Sequence, residues 1–376
     1  MRDGPEGDML SWDESVFRNE EVLEVDYVPE SFKHRGNQMN SLQYCLRPAV
    51  RGSRPVNAII RGPPGTGKTT AILKLYEQLR EFPEVYTVRV NCQMNSTRYA
   101  IFAKIYQDLF EIAPPSSGKA FKEIFEQVTD HLVDAGKALV VALDDVNYLY
   151  YDNEASDTLY SLLRAHEEYR GAKIGVMVVS SDPDLDVLGE LDNRVQSVFH
   201  PEEIYFPRYD LTEIHNILAE RVRIGFYEGA VPDAVLDRVA ELTAESGDLR
   251  VGIDLLHRAG LNAEMRASRE LSLDDVEDAY ETSKYVHLSR SLRTLSDNER
   301  ALLRVVAEHE GERAGPVYDA FNEETGLGYT RYSEIINKLD NLGILQAEYG
   351  GLEGRGRSRQ LSLAYDADAV IERLDG

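Results

Sequence analysis

Apolar and polar positions follow three different rhythms along the chain. Over residues 21–209, short apolar runs at Ala58–Ile60, Tyr86–Val90, Ala138–Leu143 and Ile174–Val179 alternate with amphipathic stretches. Strands buried on both faces read as near-continuous apolar runs, and strands alternating with helical stretches indicate a parallel sheet covered by helices on both sides. Over residues 210–288 the rhythm becomes helical only: Ile214, Ile217, Leu218 and Val222, then Val235, Val239 and Leu242, recur at helix spacing. Residues 289–376 form a third regime, and residues 1–20 read as a loose acidic tail.

Local signals sharpen the third regime. Ser296 and Glu299 have the spacing of a capping box, and Leu302, Leu303, Val305 and Val306 give the helix they open a buried face. Val317, Tyr318 and Phe321 mark a second helix. Thr330 to Leu342 marks a third, stopped by Gly343. Ile344-Leu345 and Gln360–Leu363 then flank a Gly-rich turn, so three helices and a hairpin predict a winged helix.

With 376 residues and 43% hydrophobic positions, the chain has room for two or three domains. Cys45 and Cys92 lie far apart with no metal-ligand spacing, which suits free thiols in a cytosolic protein. The apolar runs are too short to cross a bilayer, and the first ten residues, MRDGPEGDML, lack the basic-then-apolar pattern of a secretory leader. A cytoplasmic, nucleoid-associated protein without membrane contact is expected. A net charge of −25 argues, at first sight, against a nucleic-acid partner. The acidity is dispersed, however, and Arg far outnumbers Lys, as expected for a surface adapted to a salt-rich cytoplasm. At molar salt the Debye length is about 3 Å, so local patches outweigh global charge.

The candidate chemistry begins at Gly62-Pro-Pro-Gly-Thr-Gly-Lys68-Thr69, which satisfies the full phosphate-loop pattern G-x-x-x-x-G-K-[ST] between an apolar strand and an amphipathic helix. Pro64, Gly65, Thr66, Gly67, Lys68, Thr69 and Thr70 are the expected phosphate contacts. Glycines admit the phosphates to the backbone N–H groups, and the helix N-terminus favours an anion. Lys68 would reach the β- and γ-phosphates, and the Thr69 hydroxyl would face Mg²⁺. The run Ala138–Leu143 ends in Asp144-Asp145. Asp144 is expected to hold the metal, and Asp145 to polarise an attacking water in a position where Glu is usual.

These motifs, in this order, resemble the AAA+ ATPases, an α/β class with a P-loop parallel sheet, a helical lid and here a C-terminal winged helix. The other segments resemble the archaeal replication initiators related to the origin recognition complex and the cell-division-cycle loader. Tyr27-Val-Pro-Glu30…His34-Arg35-Gly36-Asn37-Gln38…Leu42 is similar to that family's adenine-wrapping segment. Val28, Pro29, Arg35 and Tyr209 are therefore expected nucleotide contacts. Ser181, after the fourth apolar run, stands where a sensor 1 amide is usual. Arg194 resembles an arginine finger aimed at a neighbouring subunit's nucleotide, the plain alternative being a surface ion pair. Ser246-Gly-Asp248-Leu-Arg250 resembles sensor 2, with Asp248 capping a helix and Arg250 projecting toward the phosphates. The stretch from Asn91 to Phe125, with Tyr99, Ile101, Phe102, Ile105, Phe110 and Phe121, resembles a DNA-touching insertion, the plain alternative being a core helix.

In the winged helix, Thr330, Arg331, Tyr332, Ser333, Asn337 and Lys338 are candidates for a major groove. The hairpin carries Arg355, Arg357 and Arg359 against one acid, Glu353. The resemblance implies an ATP/ADP- and Mg²⁺-dependent initiator that binds duplex origin DNA, helps recruit the minichromosome-maintenance helicase, and associates with further copies of itself on DNA. Alternatives are an AAA+ regulatory ATPase or a weakly hydrolysing paralogue whose winged helix serves protein contact or transcriptional control.

Overall fold

The computed structural model describes residues 15–114, 121–182, 185–293, 295–349 and 359–375. They form two compact units: the described parts of Phe17–Gly229 with Leu236–Ile253, and those of Met1–Val16, Ala230–Val235 and Asp254–Gly376.

The first unit is built on a parallel sheet. After a 3-10 turn at Glu20–Leu23 come α1 (Gly36–Val50), β1 (Ala58–Arg61), α2 (Lys68–Leu79), β2 (Val85–Asn91), α3 (Arg98–Phe110), α4 (Phe121–Ala135) and β3 (Ala138–Asp144). Three short helices, α5 (Asn147–Tyr151), α6 (Ala155–Leu163) and α7 (Ala165–Glu168), lead to β4 (Lys173–Ser180), then α8 (Asn193–Gln196) and β5 (Glu202–Tyr205). The sheet order is β2-β3-β4-β1-β5, every pair parallel. Successive residues of a strand face opposite sides. Leu139, Val141 and Leu143 of β3 therefore join the core under α3, α4 and α6, while Val140 and Ala142 join the core under α1 and α2. All four apolar runs are strands. The edge strand β5, Glu-Glu-Ile-Tyr, buries Ile204 alone and carries no apolar run to announce it.

The crossover from β2 to β3 is a helix pair in which Ile101, Phe102 and Ile105 are fully buried, and Phe121 packs edge-on against Phe102 at 5.1 Å. Those residues hold the pair to the sheet, while Tyr99 is exposed, and residues 115–120 lie outside the described residues. One expectation changes here. The end of the expected loose tail is anchored. Ser15 Oγ donates to Glu264 Oε1 at 2.6 Å, and Arg18 N donates to Gly225 O at 2.7 Å. Residues 1–14 lie outside the described residues.

Four helices follow the sheet: α9 (Leu211–Gly225), α10 (Asp233–Ser246), α11 (Leu249–Met265) and α12 (Leu273–Arg293). A reciprocal capping box opens α9, with Glu213 N donating to Asp210 Oδ1 at 2.8 Å and Asp210 N to Glu213 Oε2 at 3.1 Å.

The second unit contains the winged helix: α13 (Asp297–Glu308), α14 (Ala314–Thr325), α15 (Tyr329–Asn341), β6 (Leu345–Tyr349), β7 (Arg359–Leu363) and a terminal α16 (Ala367–Asp375). The hairpin strands are antiparallel, with Leu345 opposite Leu363. The capping box at Ser296 and Glu299 is present, and Glu299 also accepts from Lys338 Nζ of α15 at 2.9 Å. That one buried carboxylate ties two helices, and Lys338 and the backbone N–H of Ser296 hold it below the usual carboxylate range against the effect of burial. Gly343, at φ +67°, stops α15 in the left-handed conformation that a Cβ disfavours. Val370 and Leu374 of α16 complete a core with Leu302, Phe321 and Leu339.

Candidate functional site

The loop between β1 and α2 turns back on itself over a single buried ammonium. Lys68 Nζ donates to Gly62 O and Pro63 O, both at 2.7 Å. Burial lowers its pKa to about 8, with Asp144 and Asp145 opposing the shift. Gly67, at φ +89°, precedes α2 and sits so close to Tyr209 that a Cβ would stand 2.9 Å from the Tyr209 hydroxyl. Gly65, at φ +69°, is just as confined: a Cβ there would lie 1.9 Å from Asp248 Oδ1. Glycine at 65 is therefore what lets the start of α11 approach the loop.

Strand β4 lies between β1 and β3, so the carboxylate strand is one strand removed from the loop's own strand. The side chains still meet. Thr69 Oγ1 donates to Asp144 Oδ2 at 3.0 Å, and Arg89 Nη1 of β2 donates to the same oxygen at 2.9 Å. Asp145 holds a left-handed backbone at φ 55°, an uncommon conformation for a residue with a Cβ. Burial and the Asp144 charge push its carboxyl up, against Lys68, Arg250 and Arg89. Asp248 accepts from Arg250 N at 2.9 Å and clamps that guanidinium through Nε at 3.0 Å and Nη2 at 2.5 Å. This bond raises the Arg250 pKa further.

These groups surround a cavity of about 500 Å³ within the first unit. Its lining has two chemistries. Val25, Tyr27, Val28, Pro29, Phe32, Leu73, Ile217, Ile224 and Ile253 offer apolar surface suited to a flat base. Pro64, Gly65, Thr66, Gly67, Lys68, Thr69 and Thr70 supply the phosphate loop, joined by Arg89, Asp144, Asp145, Ser181, Tyr209 and Arg250. The paired Thr69 hydroxyl and Asp144 carboxylate are hard oxygen donors that fit Mg²⁺, which keeps several waters and takes the rest of its shell from phosphates. Among the described residues no cluster of three His, Cys, Asp or Glu could hold a metal.

Several sequence candidates lie elsewhere. Arg35 is 2% exposed and absent from the lining, which corrects its reading as a nucleotide contact. It donates to Thr66 O at 3.1 Å and Pro207 O at 2.7 Å, with its guanidinium 3.6 Å from the centre of the Tyr209 ring. It is a brace between the phosphate loop and the chain leaving β5. Arg194 is exposed, bound to Asp192 at 2.6 Å and 3.7 Å from Asp157, outside the cavity. In the winged helix Thr330 and Arg331 are exposed and Ser333 is half-buried. Tyr332 is 1% exposed, its hydroxyl donating to Ala314 O at 2.8 Å. Its face points into the core, which corrects its reading as a groove contact. Arg359 Nη1 donates to Asn337 Oδ1 at 2.7 Å, bringing hairpin and α15 together. Arg355 and Arg357 lie outside the described residues.

Sequence reasoning missed Arg89, Arg221 and Lys33. Arg221 is buried on α9, donates to Val22 O and stacks 4.5 Å from the Tyr27 ring centre, while Lys33 meets Glu220 at 2.8 Å. These contacts tie α9 to the segment that supplies the apolar lining. Nothing in the pattern marks them, since one charged residue on a strand or helix usually faces solvent.

A phosphate loop, a carboxylate at the end of the strand one place removed and a helical arginine around one cavity define an AAA+ ATPase. Residues 31–179 match the AAA ATPase domain, and residues 215–281 match the Cdc6 AAA+ ATPase-type lid domain. The chain belongs to the ORC1-type DNA replication protein family. It is 65% identical over 375 residues to ORC1-type DNA replication protein 3 of Haloarcula marismortui, covering 100% of both chains. It is 61% identical over 374 residues to ORC1-type DNA replication protein 6 of Halobacterium salinarum, again over 100% of both. Relatives from salt-loving archaea agree with the dispersed acidity of the surface. Among solved structures it resembles the Aeropyrum pernix ORC1 protein in complex with DNA, with a TM-score of 0.70, 27% identity and 96% of each chain covered. The protein is thus a nucleotide-binding replication initiator.

Proposed function

We propose that this protein binds duplex DNA at replication origins, that its bound adenine nucleotide controls that binding, and that the DNA-bound form helps recruit the minichromosome-maintenance helicase. The observation that carries the reading is the cavity, in which phosphate-loop, carboxylate and α11 groups converge. Support for the DNA half comes from the structural likeness to a DNA-bound ORC1 protein and from the exposed N-terminal turn of α15. In functional terms residues 21–209 would be the nucleotide-binding base, 210–288 the lid and 289–376 the DNA-binding module, acting in the cytoplasm on the nucleoid.

The roles follow from chemistry. Lys68 would leave the loop carbonyls for the β- and γ-phosphates, and Thr69 and Asp144 would hold Mg²⁺. When bound, that ion would neutralise phosphate charge. Asp145 would orient water and accept its proton, helped by its raised pKa. Its side chain is one methylene shorter than the usual Glu, and Ser181 reaches less far than an amide, so turnover would be slow. A switch needs only different affinities for two states. Arg250 would exchange Asp248 for the γ-phosphate, reporting nucleotide state to α11. Arg194 would complete the site of a second copy only where copies meet on DNA.

On the DNA side, Thr330, Arg331 and Ser333 would meet the major groove, with Arg355, Arg357 and Arg359 on the backbone. The triple variant Arg355→Ala/Arg357→Ala/Arg359→Ala, in fluorescence anisotropy on origin and unrelated duplexes, should bind every duplex more weakly. Its slope of log affinity against log salt should shrink by up to about 3. An unchanged slope with unchanged affinity would remove the hairpin from the interface.

A further inference from the structure

Arg89 is the least expected member of the cavity wall. It comes from β2, two strands from β4 and three from the phosphate loop's own strand, yet its Nη1 reaches Asp144 Oδ2 at 2.9 Å. That oxygen is also the acceptor for Thr69 Oγ1 at 3.0 Å, so one carboxylate oxygen collects the metal-site hydroxyl and a guanidinium together. Asp144 is 3% exposed, with a second, half-buried carboxylate, Asp145, next to it in sequence and facing the same cavity. Two adjacent carboxylates would repel a polyphosphate unless cations offset them. Lys68, Arg250 and Arg89 all act on Asp145 in that sense. Of the three, Lys68 is engaged with the loop carbonyls and Arg250 with Asp248, which leaves Arg89 as the cation bonded to the metal carboxylate itself.

On the reading of this cavity as a nucleotide site, we propose that Arg89 is a resident counter-cation for Asp144. It is a positioning residue that lets the pocket retain adenine nucleotide with reduced dependence on Mg²⁺. Two consequences follow from the shared oxygen. A divalent ion at Asp144 would meet a carboxylate whose charge is already offset by a bonded guanidinium, so Arg89 lowers the affinity of the site for Mg²⁺. When no divalent ion is present, the guanidinium keeps the Asp144 charge offset and leaves a positive group on the wall facing the phosphates. Arg89 side-chain exposure of 36% gives it room to swing away from Asp144 as the ion enters.

The test is equilibrium binding of a fluorescent ADP to wild type, Arg89→Met and Arg89→Lys, each in EDTA and across a Mg²⁺ titration. Melting temperature without nucleotide, measured alongside, detects any loss of fold. Arg89→Met should lose up to about 5-fold in affinity in EDTA, the scale of a partly exposed charge contact. With saturating Mg²⁺ it should bind almost as wild type, and the Mg²⁺ concentration at half effect should fall. Arg89→Lys should restore most binding in EDTA. Equal losses with and without Mg²⁺ would overturn the proposal, because a residue that merely fixes Asp144 would act alike in both. Should Arg89→Met melt early, Arg89→Gln, which keeps a hydrogen-bond donor without charge, decides the matter by the same comparison. Wild type that takes up no ADP in either medium would overturn the nucleotide-site reading itself, a different result from wild-type binding with a Mg²⁺ dependence indifferent to residue 89.

Discussion

Lys68→Ala is expected to weaken binding of ATP and ADP by about 30- to 3,000-fold, the range for truncating one partner of a buried, hydrogen-bonded charge contact. Lys68 is 5% exposed, and its ammonium bonds two loop carbonyls that an alanine would leave without that donor. The loss therefore combines a missing phosphate contact with a loosened loop. The pH dependence provides an internal check. Burial holds the Lys68 pKa at about 8, and it is the charged form that attracts phosphate. Wild-type affinity should accordingly decline as pH rises through about 8, because a rising share of the free protein carries a neutral amine that must gain a proton on binding. In Lys68→Ala that decline should be gone. Isothermal titration at pH 7 and pH 9 reads both effects, and a variant that bound within threefold of wild type would exclude Lys68 from phosphate recognition.

Tyr332→Ala should cost roughly 3–5 kcal/mol in the winged helix, the usual range for emptying a large aromatic site. The ring is 1% exposed and lies 5.2 Å from the Tyr318 ring and 5.5 Å from that of Phe321. A module of this size has little stability to spare. Thermal melts should show an early transition absent from wild type, while the nucleotide cavity, lined by residues of the first unit, keeps its ligand. Tyr332→Phe removes only the hydroxyl bond to Ala314 O and should cost about 1 kcal/mol, leaving duplex binding intact. Loss of duplex binding in Tyr332→Phe with an unchanged melt would return Tyr332 to the DNA face.

The contrast between Arg331 and Tyr332 illustrates what a sequence can and cannot convey. Helix periodicity and the stop at Gly343 located α15, and the capping box at Ser296 located α13, because these signals are local and each has a physical cause. The rotation of α15 about its axis was harder. Tyr332 shares its face with Ile335, Ile336 and Leu339, but an aromatic with a hydroxyl suits both a core and a groove. Arg35 misled for a similar reason. Its segment resembles one that wraps an adenine, whereas its guanidinium is spent on three backbone carbonyls. The phosphate loop was fully legible because its chemistry fixes residue type and spacing within eight positions. Arg89 and Arg221 were not, since their partners are 55 and 199 residues away and only the tertiary fold brings them near. The edge strand β5 escaped because a strand that buries one side chain has no pattern to show.

The linkage between nucleotide and duplex is most directly tested by measuring the affinity of the intact protein for one origin duplex, at fixed salt, with saturating ATP and then with saturating ADP. Coupling of the usual size would separate the two values by about 5- to 150-fold, and by reciprocity the duplex would shift the ATP-to-ADP preference by the same factor. Identical duplex affinities in the two nucleotides, with both shown to be bound, would contradict the switch.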